Sequence, residues 1–186
     1  LRPRAAGARD TIAPWDAPEV TSWRRLPMHT VRREPDARID LDGRWRFQLL
    51  PAPDAPLADR WTEVDVPSCW TMQEFDDLHG VHDRPHYTNV QMPWADLPPH
   101  PPAANPTGVY ERAVEVPAEW AGRRVVLHVG AAESVLIAEV NGVEVGISKD
   151  SHLAAELDVT DAVRPGASNT LRLTVVKWSD ASFIED

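Results

Sequence analysis

The sequence predicts an all-β protein, an antiparallel β-sandwich of the jelly-roll type. About eight short segments alternate apolar and polar side chains, and turn-forming residues separate them. No stretch keeps the period of 3.6 residues that a long amphipathic helix requires. The 18 prolines also argue against long helices, because proline interrupts them.

The first half of the chain contains two alternating segments and one long irregular stretch. Residues 43–49 carry bulky apolar side chains on one face and polar ones on the other: Trp45, Phe47 and Leu49, against Arg44, Arg46 and Gln48. A proline-rich loop at 51–56 leads to a second short strand at 62–67. Residues 71–105 show almost no regular pattern, which in a compact domain indicates a functional loop or an unrecognised element.

The second half is more regular. Strands are predicted at 108–116, 124–129, 135–140, 143–147, 156–159 and 171–176. Asn141-Gly142 predicts a tight hairpin, because both central residues of a type I′ turn need positive φ. Thr160 is predicted to cap a single helical turn that ends before Pro165-Gly166.

The domain organisation follows from where this pattern begins. Residues 1–40 are predicted to be an extended N-terminal arm, and residues 41–186 a jelly-roll domain. Trp15 and Trp23 would anchor the arm, either on this domain or on a neighbour outside the chain. A length of 186 residues is enough to bury one sizeable core.

Charge and composition exclude some partners. A net charge of −10 argues against nucleic acid and against an anionic membrane surface, and no apolar run has membrane-spanning length. Cys69 is the only cysteine, so no internal disulfide can form. With no apolar leader visible at the start, these features predict a cytoplasmic protein.

Two polar residues are candidates for a binding site, and the amide of one, Asn89, suits sugar hydroxyls. Asp180 follows the last predicted strand, where a scaffold fixes the root of a loop. Asn89 lies late in the long irregular stretch, and its amide offers two donors and an acceptor. Each also has a simpler interpretation: Asp180 as a solvated surface carboxylate, Asn89 as a turn residue bonding its own backbone. The neighbouring Trp178 fits a core position better than a ligand platform.

The motifs of the commonest enzyme classes are missing from the sequence. We find no phosphate-binding loop, dinucleotide glycine signature, nucleophile elbow or zinc pattern. His79, His82 and His86, with Asp83 beside them, could bind a metal if their loop folded back. Their spacing matches no known template, so solvated loop histidines are the simpler interpretation. A lone carboxylate at Asp180 is also not a hydrolytic pair, which suggests a site only partly contained in this chain.

Taken in order, the short motifs of this chain resemble one family. They are 41–47 (LDGRWRF), 66–70 (VPSCW), 87–90 (YTNV), 105–110 (NPTGVY), Asn141-Gly142 with Val145-Gly146, and Trp178-Ser179-Asp180 through Glu185-Asp186. From about Trp15 to Asp186 the chain resembles the N-terminal domain of the large β-galactosidases of glycoside hydrolase family 2.

This resemblance implies that residues 41–186 are a sugar-binding domain with a galactose-binding-domain-like jelly-roll fold. It also implies a role for each candidate residue. It places Asn89 against the galactosyl unit of a β-galactoside, and Asp180 against substrate and a sodium ion. It implies no catalytic residue in this segment: two glutamates about 5 Å apart, one acid/base and one nucleophile, would belong to a later barrel. The other Na⁺ ligands and the Mg²⁺ ligands would also lie beyond Asp186. The parent is expected to be a homo-oligomeric enzyme whose downstream domains pack against this one.

The sequence departs from the family pattern in two places. Ala181 stands where the family usually has glycine, and the loop at 76–84 is longer than usual. Two other functions also remain open for the chain: a stand-alone carbohydrate-binding module with its own aromatic platform, and a structural domain that serves oligomer contacts.

Overall fold

The computed structural model describes residues 13–28, 36–86 and 92–184. In these ranges it contains nine strands and four short 3₁₀ helices but no α-helix. The strands are β1 (Ser22–Trp23), β2 (Gly43–Leu50), β3 (Thr62–Val66), β4 (Thr107–Val116), β5 (Val126–Val129), β6 (Val135–Val140), β7 (Val143–Ser148), β8 (Ala155–Asp158) and β9 (Ala167–Val176). The 3₁₀ helices are Pro14–Asp16, Trp70–Met72, Ala118–Trp120 and Asp180–Phe183.

The strands form two antiparallel sheets with the core between them. The larger sheet has the order β1-β7-β6-β9-β4-β2-β3, and β5 pairs with β8 in the smaller one. Phe47 of the larger sheet and Leu157 of the smaller are both completely buried in one apolar cluster. Burying each such side chain contributes about 1.5–3 kcal/mol. The predicted all-β antiparallel sandwich is confirmed.

The β6–β7 hairpin forms as its sequence predicts. Asn141 and Gly142 have φ values of 52° and 77°, and Val140 pairs with Val143. The Asn141 amide donates to Ala162 O and to Asn169 Oδ1, both at 2.8 Å. The turn residue therefore also fastens the hairpin to the segments around it.

Gln48 and Thr160 differ from their predictions. Gln48 was expected on the exposed face of its strand, yet it is fully buried. Its amide donates to Ala58 O and Arg60 O and accepts from Ala58 N–H, so it holds the segment after the proline-rich loop against the sheet. Thr160 does not cap a helix: its hydroxyl accepts from Val125 N–H at 2.9 Å.

The described part of the N-terminal arm lies on this domain. Strand β1 pairs with the end of β7, and Trp15 and Trp23 pack against a small cluster that contains Val135 and Val176. The Arg25 guanidinium donates to Leu153 O and to Ala154 O at 3.0 and 3.1 Å. For residues 13–28, the surface beneath the tryptophans is therefore the domain itself. The boundary between residues 40 and 41 stays a prediction.

Gly146 of β7 lies close to Leu157 of the smaller sheet, and this contact gives a test of the packing. A Cβ atom there would lie 2.5 Å from Leu157 Cδ2 and 3.0 Å from the carbonyl oxygen of Trp23. We expect Gly146→Ala to lower the free energy of unfolding by about 1–3 kcal/mol, because overpacking forces neighbours to move. Urea unfolding measures this, with Gly130→Ala as the control, since nothing lies within 4 Å of a Cβ at Gly130. Equal stability of the two variants would contradict this packing.

In the described ranges the structure has no helix of the length and apolar character needed to cross a membrane.

Candidate functional site

The candidate site is built on the turn that follows β9, and Ser179 fixes this turn. Ser179 is fully buried and begins the 3₁₀ helix Asp180–Phe183. Its hydroxyl accepts from Ala181 N–H at 3.2 Å and from the Ser134 hydroxyl at 2.9 Å. The Ser182 hydroxyl accepts in return from Ser179 N–H, which completes a capping box. The backbone at Asp180 is therefore held in one conformation.

Asn105, two residues before β4, clamps the same turn. Its amide nitrogen donates to Trp178 O at 2.8 Å, and its amide oxygen accepts from Trp178 N–H at 2.9 Å. Asn105 is only 1% exposed. Residue-by-residue sequence reasoning missed this role. The available signal was the position of Asn105 in the motif at 105–110, directly before β4.

Ala181 fits this turn without strain. Among the described residues other than glycine, only Arg24 and Asn141 have positive φ. Position 181 therefore does not require the conformation that favours glycine, and alanine suits a residue inside a short helical turn. The departure from the family pattern at Ala181 leaves the backbone around Asp180 intact.

Asp180 itself forms a buried ion pair with Lys149, the residue that follows β7. The side chains of Asp180 and Lys149 are 12% and 6% exposed. The Lys149 ammonium also donates to Ala17 O at 3.1 Å, so the N-terminal arm completes its surroundings. The simpler sequence interpretation, a solvated surface carboxylate, is wrong. The ion pair gives Asp180 a fixed charged partner instead.

The Asp180–Lys149 ion pair affects whether a sodium ion could bind at Asp180. Carboxylate oxygens suit a hard cation, but the Lys149 ammonium already occupies Oδ1 of Asp180. A sodium ion about 5 Å from that ammonium would meet a repulsion of about 3 kcal/mol at an effective dielectric constant of about 20. In the described ranges no group of three or more His, Cys, Asp or Glu side chains could hold a metal ion. The side chains around Asp180 thus do not fit a cation as they stand, and the sodium contact stays a prediction.

A second buried ion pair ties the long loop to the start of this turn. Lys177 donates to Asp83 at 2.5 Å and to Arg84 O at 2.8 Å, and the Trp70 indole donates to Asp83 at 2.7 Å. The side chains of Asp83 and Lys177 are 4% and 13% exposed. The pair therefore fixes residues 83–84 beside the strand end that leads to Asp180.

Trp178 belongs to an aromatic cluster and not, as the sequence favoured, to the core. It is half-buried, with the Trp94 ring centroid 4.7 Å away and the His86 ring centroid 5.7 Å away. Phe183 meets Trp94 edge-on at 5.7 Å, and the Lys177 ammonium lies 4.8 Å from the Trp178 ring. These rings cover the turn beside Asp180 and present partly accessible aromatic surface next to a carboxylate.

The three loop histidines have separate partners. His79 bonds Gln48 at 2.8 Å, His82 is 91% exposed at its side chain near Asp77, and His86 meets the Trp178 ring edge-on. The loop does not bring them together around one point. The metal-binding alternative is therefore not supported. The favoured interpretation as solvated histidines holds for His82 and His86, which are exposed, but not for His79.

Asn89 lies among residues 87–91, outside the described residues, so its contact with a galactosyl unit stays a prediction.

Asp150, next to Lys149, makes the stability of the folded chain depend on pH. Burial alone would raise the pKa of Asp150, but hydrogen bonds from Leu153 N–H and His152 N–H and the nearby Arg25 guanidinium bring it below the usual 3.8. A lowered pKa means that the stabilisation is present above the pKa of the unfolded chain and is lost as the pH falls through the folded value. We expect Asp150→Asn to lower the melting temperature at about pH 7, and the gap to wild type to shrink below pH 3.8. A gap that stays constant down to acid pH would contradict this assignment.

Comparisons with known proteins identify relatives of this chain. The family profile described as "Glycosyl hydrolases family 2, sugar binding domain" matches residues 39–186. A β-galactosidase of Vibrio cholerae is 35% identical over 92% of this chain, and one of Arthrobacter sp. is 38% identical over 87%. The chain spans 18% of the length of each of these relatives.

A solved structure supports the fold. The crystal structure of a β-glucuronidase from Ruminococcus gnavus superposes with a TM-score of 0.55 at 19% identity, covering 81% of this chain and 23% of that one. At that identity the likeness concerns the fold alone. The match over residues 39–186 and the identities with the two β-galactosidases show that this chain belongs to glycoside hydrolase family 2, as its sugar-binding domain.

Proposed function

We propose that the chain is the sugar-binding domain of a longer retaining β-galactosidase that hydrolyses terminal non-reducing β-D-galactose residues. In this proposal Asp180 and Asn89 contact the substrate, and the catalytic glutamates come from a downstream barrel. The relatives named β-galactosidase support it, since each is about five times as long as the part this chain matches. The Mg²⁺ ligands, the cytoplasmic location and the homo-oligomeric state of the parent enzyme belong to the same proposal.

The observation that carries the proposal is the rigid presentation of Asp180. Ser179, Ser182 and Asn105 hold the turn through side-chain hydrogen bonds, and Lys149 holds the carboxylate. A carboxylate fixed in this way can accept hydrogen bonds from sugar hydroxyls without first losing its own freedom. Trp178 and Trp94 beside it offer aromatic surface for the apolar face of a sugar ring.

The two buried carboxylates near the turn do not form a hydrolytic pair. A retaining glycosidase needs one carboxyl group as acid/base and a second as nucleophile. Asp180 is bound to Lys149 and Asp83 to Lys177, so neither carboxylate is placed to play these roles. The chemistry of hydrolysis is therefore assigned to residues outside this chain.

A neutral galactoside also fits the charges better than a glucuronide. A uronate carboxylate needs an available cation, and both lysines near the turn are already paired with carboxylates. The similarity to the β-glucuronidase, at 19% identity, concerns the fold and is no evidence about the substrate.

The isolated chain tests this proposal directly. We expect the purified 186-residue chain to leave a nitrophenyl β-galactoside unhydrolysed, and the longer enzyme that contains it to turn the same substrate over. Turnover above buffer background by the chain alone would refute the assignment of the catalytic glutamates to a downstream barrel. Titration of the chain with millimolar galactose distinguishes this proposal from a stand-alone carbohydrate-binding module. Such a module would bind galactose saturably, whereas a partial site should not.

A further inference from the structure

Lys149 is an unusual residue, a lysine buried to 8% exposure at the centre of the candidate site. Its ammonium has two described partners, the carbonyl oxygen of Ala17 and the carboxylate of Asp180. A buried ammonium is stable only when it is paired and hydrogen-bonded. Asp180 is therefore the counter-ion of Lys149, and Lys149 is the cation that Asp180 faces.

We infer that Lys149 takes the position of a monovalent cation at Asp180, so that this domain holds its carboxylate without bound sodium. The part of this inference that concerns sugar binding rests on the proposed function. The part that concerns sodium depends only on Lys149 and Asp180 and can be tested on the chain alone. The ammonium supplies one positive charge at the carboxylate, as a sodium ion would. It cannot share the position, because like charges this close repel.

The pair can still recognise a sugar. An ammonium has three N–H donors, and Ala17 and Asp180 use two of them. Oδ2 of Asp180 has no hydrogen bond within the described part of the chain. One donor of Lys149 and one acceptor of Asp180 thus have no partner assigned among the described residues, and a sugar hydroxyl can satisfy such a combination in both directions.

The chain itself provides the first test. We compare melting temperatures in NaCl, KCl and choline chloride at equal ionic strength for wild type, Lys149→Met and Arg60→Met. Wild type should melt at the same temperature in all three salts. Lys149→Met should melt lower than wild type in choline chloride and recover about 3 °C or more in NaCl specifically, because a sodium ion now binds the unpaired carboxylate.

Arg60→Met is the matched control, because Arg60 and Asp76 form an ion pair whose side chains are 69% and 70% exposed. Removing that arginine should create no preference for sodium. A sodium-specific rise in the wild type would overturn the inference, and so would a Lys149→Met chain indifferent to the salt. If Lys149→Met does not fold, Lys149→Gln replaces it, and the same outcomes decide.

The longer enzyme provides the second test. There, kcat/KM for a β-galactoside should be unchanged by sodium in the wild type and should become sodium-dependent in Lys149→Met. The two failures are distinguishable. An enzyme that ignores β-galactosides refutes the proposed function, while the melting experiment on the chain still decides the role of Lys149.

Discussion

Replacing Lys177 with methionine is expected to lower the free energy of unfolding of this chain by about 3 kcal/mol. The substitution leaves the Asp83 carboxylate, 4% exposed, with only the Trp70 indole as a described side-chain donor. Removing one partner of a buried ion pair costs more than the pair contributes, because the remaining charge is desolvated without compensation. A loss of this size is a large part of the 5–15 kcal/mol that a domain typically has.

Urea unfolding of the chain measures this loss. The control is Arg44→Met, which removes an ion pair with Glu63 whose side chains are 64% and 59% exposed, and it should cost less than about 1 kcal/mol. Asp83→Asn combined with Lys177→Met should be less harmful than the sum of the single changes, since no charge is then left unpaired. Equal small losses for Lys177→Met and Arg44→Met would show that the Asp83–Lys177 pair is not buried as described.

Replacing Asp180 with asparagine in the longer enzyme is expected to lower kcat/KM for a β-galactoside about 100-fold. Hydrogen bonds to a charged group contribute about 1.5–3 kcal/mol, and a loss of about 2.7 kcal/mol corresponds to 100-fold. Asparagine keeps the shape of the side chain but removes the negative charge that Lys149 and the sugar hydroxyls share. Asp180→Ala should have a larger effect, because it also removes the acceptor oxygens.

The matched control for Asp180→Asn is Asp161→Asn, at an exposed position in the turn after β8. Asp161→Asn should leave kcat/KM unchanged. Melting temperatures of both variants show whether the Asp180 enzyme is folded at the assay temperature. A folded Asp180→Asn enzyme with the kcat/KM of wild type would remove Asp180 from the substrate site.

Local patterns predicted most of the strands. The alternation at 135–140 and 143–147 and the Asn141-Gly142 turn are short-range signals, and the hairpin follows them closely. Strand β9 begins at Ala167, four residues before the predicted start, because residues 167–170 pair with the end of β4. The two-residue strand β1 has no signal of its own, since only its pairing with β7 makes it a strand.

The side chains that build the site were harder to predict. Gln48, Asn105 and Lys149 are polar residues that the sequence places on surfaces or in loops, and all three are buried. Their partners are mostly backbone groups or charges far along the chain, such as Trp178 for Asn105 and Asp180 for Lys149. Propensity and periodicity contain no such long-range information. Asp180 was singled out by its place after a strand, and its assigned role came from a motif resemblance.

The central claim is that this domain serves an enzyme for neutral β-galactosides, and substrate discrimination tests it most directly. The measurement is kcat/KM of the longer enzyme for a nitrophenyl β-D-galactoside and for the matching β-D-glucuronide under the same conditions. We expect the galactoside to be favoured at least about 100-fold, because the two lysines described near Asp180 are already paired with carboxylates and a uronate would lack their charge. Preference for the glucuronide, or hydrolysis of neither substrate, would contradict it.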